Sequence, residues 1–212
     1  MKFKTLYERF ISSIKNKSNI QIAEDCHREF RKIFQNAVGP RNLRDYATAK
    51  GMTMHKAEDW KFALTAQDII NEHIPANVVG CSGRAAVFSK LLQQRMIPHK
   101  VILTAVADDL NRARTDIQQG KKPNIINGHQ IIAVEIDGRL RMFDPGKKKL
   151  ELIDGDVSVG RQVQYDFSDD NYIITNIMPP KEYETINTPE KLQSAYRQIW
   201  NVSQIVHQND DR

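Results

Sequence analysis

Cysteine is nearly absent from this chain: 212 residues hold only Cys26 and Cys81. Two thiols so far apart in sequence have none of the close pairing of a zinc site, and a disulfide framework built from them would consume both. The expectation is a protein of a reducing compartment with no metal and no cofactor. Long apolar runs are absent too. The opening Met1-Lys2-Phe3-Lys4-Thr5 leads into no apolar stretch of the length a signal peptide or membrane span requires, which predicts a cytoplasmic protein that does not engage a membrane; a specialised export route would leave no such mark. There is no internal repeat and no low-complexity domain. A nucleic-acid module is also missing: the formal charge is +5, but the basic residues are dispersed, from Lys2, Lys4 and Arg9 to Lys121-Lys122 and Lys147-Lys148-Lys149. Such dispersal is that of a solvated surface, with attraction of an acidic protein partner as the functional alternative. Nothing in the sequence sets the oligomeric state.

What is present suits a globular domain. With 40% hydrophobic and 27% charged residues, the chain can bury one substantial core carrying helical additions. Phe3, Leu6, Phe10, Ile11 and Ile14 form one helical stripe. Ile22, Cys26, Phe30, Ile33, Phe34 and Ala37 form a second, ended by Gly39-Pro40, which places Cys26 in the core and His27 on the exposed edge. A further helix is predicted over 56–74, with Trp60, Leu64, Ile70 and Ile74 facing inward and Pro75 stopping it. Thr188-Pro189-Glu190 opens a C-terminal helix, Thr188 as N-cap and Pro189 in the first turn. Strands are expected at 99–107, 149–153 and 172–177, and 208–212 is a polar tail. The stretch 108–127 is too polar for core and reads as a connection or a lid over a substrate cleft, its first half able to form a short helix.

Chemistry concentrates at three positions. Cys81 follows Val78-Val79-Gly80 and begins a helix whose apolar residues recur at 81, 85, 88, 91 and 92. In a first helical turn, unpaired N–H groups and the positive end of the dipole favour a thiolate. Gly128-His129 opens a strand, Asp137-Gly138 is a hairpin signal, and the returning strand ends in Phe143-Asp144-Pro145. His129 and Asp144 therefore lie near one open end of a hairpin, where the carboxylate can fix which ring nitrogen faces the sulfur. The Cys81 backbone N–H is the leading oxyanion donor; Asn77, after Pro75, is either a second donor or a turn residue.

These residues resemble the transglutaminase-like superfamily of papain-fold cysteine enzymes. The resemblance rests on Cys81 at a helix start, the Ile97-Pro98 turn and strand that follow, His129 opening the next strand, and the Asp137-Gly138 hairpin closing in Asp144-Pro145. It covers Cys81 to about Leu152. One departure is Met96, where the family has Gly, so the helix end is expected to be capped in another way. The resemblance implies an α+β fold in which a catalytic helix packs on an antiparallel sheet, with helical additions: 1–55 packed on a core at 56–180, and 181–212 as C-terminal helix and tail, in one structural domain. It also implies acyl transfer from an amide of a protein or peptide through a Cys81 thioester, with His129 as acid and base and Asp144 orienting it. Water as acceptor makes a cysteine peptidase or deamidase, and hydrolysis is favoured here because the sequence shows no amine site. An amine makes a cross-linking transglutaminase. A different-class alternative is an inactive papain-fold module that presents its groove to a protein partner.

Overall fold

Among the described residues, six antiparallel strands form one sheet in the order β4-β3-β2-β1-β6-β5: β1 His99–Val106, β2 Gly128–Ile136, β3 Arg139–Phe143, β4 Leu152–Ile153, β5 Gln162–Val163 and β6 Tyr172–Met178. The computed structural model describes residues 18–37 and 39–200, so the apolar stripe at 3–14 and the tail at 208–212 lie outside the described residues. β1 is central, paired with β2 and β6, and buried on both faces, which is why Val101-Ile102-Leu103 is apolar without alternation. Val101, Leu103 and Ala105 face the larger core; Ile102 and Val106 face a smaller one with Ile131, Ala133, Met142 and Tyr165.

The larger core is built by helices. α1 (Asn19–Gln35) and, after α2 (Leu43–Ala49), α3 (Met54–Ala63) and α4 (Ala66–Asn71), the long α5 (Ala76–Gln94) bring Phe30, Ile69, Phe88, Leu91 and Leu92 onto Ile132, Val134 and Phe143. α6 (Ala107–Gln118) follows β1, and α7 (Pro180–Tyr183) and α8 (Pro189–Arg197) follow β6. Thr188 caps α8 as expected, accepting the Lys191 N–H at 3.2 Å, and Pro189 sits in its first turn. The result is α+β: one antiparallel sheet with several helices.

Four expectations change. The helix foreseen over 56–74 is two, because Thr65 accepts the Asp68 N–H while the Asp68 carboxylate accepts the Thr65 N–H, a capping box that restarts the chain after Leu64. His27 is buried rather than exposed, stacked on Phe30 and edge-on to Phe88, with its ring Nε2 3.3 Å from the Pro145 carbonyl. The stretch 108–127 contributes to the core: Leu110, Ala113 and Ile126 are buried, and buried Asp109 accepts from Asn127 backbone and side chain at 3.0 and 2.7 Å. Its polar residues occupy the outer face of an amphipathic helix. Met96, finally, caps α5 as the missing glycine would have done. It takes φ 56°, Met96 N–H reaches Gln93 O at 2.9 Å, and Ile97 N–H reaches Leu92 O at 3.0 Å, the paired bonds of a Schellman motif, with the Met side chain left in solvent.

Candidate active site

Gly80 sets the position of Cys81. Its φ of 68° and ψ of −162° interrupt α5, so that Ala76 to Val79 form a separate turn and the continuous helix starts at Cys81. This backbone region is open essentially to glycine alone. The Gly80 carbonyl accepts the Arg84 Nε–H at 3.2 Å, tying the kink to the next turn. Cys81 is half-buried, with its sulfur aimed at the start of β2, where it lies 2.7 Å from Gln130 Oε1.

His129 and Asp144 come from the β2–β3 hairpin. Asp137 and Gly138 both adopt positive φ, 50° and 73°, the conformation of a two-residue I′ turn, and Ile136 pairs with Arg139. That register sets Asp144 opposite Ile131, two residues from His129 and on the same face of the sheet. The His129 Nε2 lies 2.9 Å from Asp144 Oδ2, which leaves Nδ1 as the ring nitrogen on the Cys81 side. The second Asp144 oxygen accepts the Gly146 N–H at 2.7 Å, so the carboxylate is held at both ends. His27, reaching Pro145 O, fastens α1 to the same loop. The edges of Tyr165 and Phe167 flank the His129 ring at 5.1 Å between centroids, and the Tyr165 hydroxyl is 3.0 Å from Thr104 Oγ1.

The electrostatics follow from this enclosure. Burial pushes the Cys81 thiol up, but the hydrogen bond and charge of His129, the charge of Arg84 and the Gln130 backbone outweigh it and hold the thiol below its ordinary value. Burial alone would depress His129; the hydrogen bonds and charges of Asp144 and Cys81 overcome it and raise the imidazole to about 9. Asp144, despite burial, is held down by His129, the Gly146 N–H and Arg84. All three shifts run in one direction, each favouring the charged form of its group against burial. Cys26 behaves oppositely: buried under Leu91, it is pushed up to about 11 by desolvation.

Asn77 is exposed on the turn before Gly80, and the side-chain amide beside the sulfur belongs to Gln130. Gln130 Oε1 also accepts from Ser82 Oγ at 3.1 Å, and its Nε2 donates to the Tyr196 hydroxyl. Gly128 makes room for that tyrosine: a Cβ there would meet the Tyr196 ring at 2.5 Å. Gln130, Arg84, Tyr196 and the Tyr165–Phe167 pair were not foreseen from sequence. The one available signal was a polar Gln130 inside the apolar run Ile131-Ile132-Ala133-Val134.

No family model matches the chain, and no curated protein does. Among solved structures, a crystal structure named "Putative Cysteine Protease from Cytophaga hutchinsonii" aligns with 72% of this chain and 58% of its own, at 14% identity and a TM-score of 0.26. The chain thus spans little more than half the length of that protein, and at this TM-score neither fold nor function transfers from it.

Proposed function

We propose that this protein is a thiol-dependent acyl-transfer enzyme with a papain-like, transglutaminase-like core, in which Cys81, His129 and Asp144 form a catalytic triad. The observation that carries the reading is the chain of contacts from the Cys81 sulfur through the His129 ring to the 2.9 Å bond with Asp144, at the start of a helix broken open by Gly80. Cys81 S⁻ attacks the carbonyl carbon of an amide, and the C–N bond breaks as the His129 imidazolium gives its proton to the leaving nitrogen. The neutral imidazole then takes a proton from water, whose oxygen attacks the thioester and releases the acid and the thiolate. Asp144 keeps the ring oriented and stabilises its charged form.

The oxyanion forms beside the start of the continuous helix, with the Cys81 N–H as its first donor. Gln130 supplies the second donor. With a protonated thiol, its Oε1 accepts the S–H; once the sulfur is a thiolate, the amide turns, presents Nε2–H to the site and accepts the Tyr196 O–H through Oε1. Hydrolysis is favoured over amine transfer because water is always available to the thioester.

The test is an unbiased digest of unfolded proteins with and without a primary amine, read by mass spectrometry for new peptide termini, glutamine converted to glutamate, and amine incorporation. Wild type is expected to give a hydrolytic product that Cys81→Ala does not. Equal products from both proteins would remove the enzyme reading and leave the binding module; amine incorporation dominating would make it a transglutaminase.

A further inference from the structure

Alongside α5 runs a cleft of about 520 Å³, within the size range of small-molecule and peptide side-chain sites. It begins at Ser82, the residue after Cys81, and follows Ala86 and Lys90 along one side of the helix. Leu64 on the stretch joining α3 to α4 forms the second wall, and Tyr183 and Ile186 form the third. Tyr183 is fixed there, its hydroxyl donating to Ser82 O at 3.1 Å. One end of the cleft therefore lies one residue from the proposed nucleophile.

The walls are mainly apolar, but Lys61 stands among them. Its side chain is half-buried, with the ammonium 4.6 Å from the Phe62 ring centroid, and among the described residues no carboxylate forms an ion pair with it. Burial draws its proton affinity down, against the opposing charges of Cys81 and Glu58. A half-buried cation with no carboxylate in contact is costly, and a carboxylate arriving with a ligand lowers that cost. The wall's own carboxylate, Glu184, is occupied by Gln93.

From this placement we infer that the cleft is the donor-peptide subsite, and that Lys61 selects an aspartate or glutamate close to the acyl group attacked by Cys81. The inference rests on the acyl-transfer reading above and adds to it a class of substrate, acidic peptides with apolar neighbours.

The experiment uses tripeptide chloromethyl ketones that differ at one position at a time, carrying Glu, Gln, Leu or Lys, with alkylation of the full-length protein followed by intact mass. Iodoacetamide serves as the probe too small to use the cleft. At one position the Glu probe is expected to react about ten-fold faster than the Gln probe, the scale of one partly desolvated ion pair. Lys61→Met should bring that ratio near one, Lys61→Glu should invert it in favour of the Lys probe, and Ala86→Trp should slow every peptide probe relative to iodoacetamide by filling the cleft. Equal Glu and Gln rates at all positions, or a Glu preference that survives Lys61→Met, would overturn the inference while rapid iodoacetamide labelling of Cys81 left the enzyme reading standing. Failure of every probe to modify Cys81 would overturn both.

Discussion

Asp144 divides its two oxygens between the His129 ring and the Gly146 N–H, so an amide in its place keeps one acceptor and turns a donor toward the other contact. Asp144→Asn is therefore expected to fold but to lose turnover by orders of magnitude, with His129→Ala adding little in the double variant, because both act on the same proton. Independent, multiplicative losses in a steady-state assay would show that Asp144 does not act through His129. Gln130→Leu is nearly isosteric but removes a donor; the expected loss is about 10²-fold in kcat with KM little changed, the scale of one oxyanion donor. A change confined to KM would place Gln130 in substrate binding instead. At this scale the sequence was legible in placement: the hairpin signal put His129 and Asp144 at one end, where they meet at 2.9 Å. It was not legible for Gln130, whose role depends on Tyr196 arriving over Gly128 from the far end of the chain, or for His27, whose phase on α1 reads as exposed until the Asp144–Pro145 loop covers it.

Elements place these residues through their ends. The hairpin was readable because Asp137-Gly138 prescribes its own backbone, whereas the break between α3 and α4 was obscured by apolar residues that continue in helical phase past Thr65. Met96 and Gly80 offer opposite tests of how the ends of α5 are made. A non-glycine residue at positive φ costs about 1 kcal/mol, so Met96→Gly should raise stability by that amount, a gain of about 2–4 °C in melting temperature for a chain of this size, with activity unchanged. A lower melting temperature would mean that the methionine side chain contributes packing. Gly80→Ala forces an L residue into φ 68°, ψ −162°; the expected cost is about 1–3 kcal/mol, together with slower Cys81 alkylation as the helix start shifts. Denaturant unfolding and iodoacetamide rates measured on the same protein separate the two effects.

Across the whole molecule, titration couples the site to the core. Desolvation lowers both His27 and buried His99, the latter held between Ser89 Oγ and Ile97 O at 2.8 Å each. For such groups the unfolded chain binds more protons, so their contribution to stability is complete above pH 6.5 and is lost as pH falls below it. His129 has the reverse sign: raised to about 9, it stabilises fully below 6.5 and loses that contribution as pH climbs through about 9. Melting temperature should therefore decline on both sides of neutrality, with His27→Gln flattening the acid limb; an unchanged acid limb would remove His27 from the account. The central claim is that Cys81 rests as a thiolate beside an imidazolium, and the most direct measurement is the pH dependence of iodoacetamide alkylation at Cys81 and Cys26, followed on intact protein and assigned by peptide mapping. Cys81 is predicted to react rapidly at pH 6 to 7, well below its ordinary value of 9.0. His129→Ala should move that profile to higher pH, and Cys26, pushed up to about 11, should stay unmodified throughout. Equal rates at the two cysteines, or a Cys81 profile unmoved by loss of His129, would contradict it.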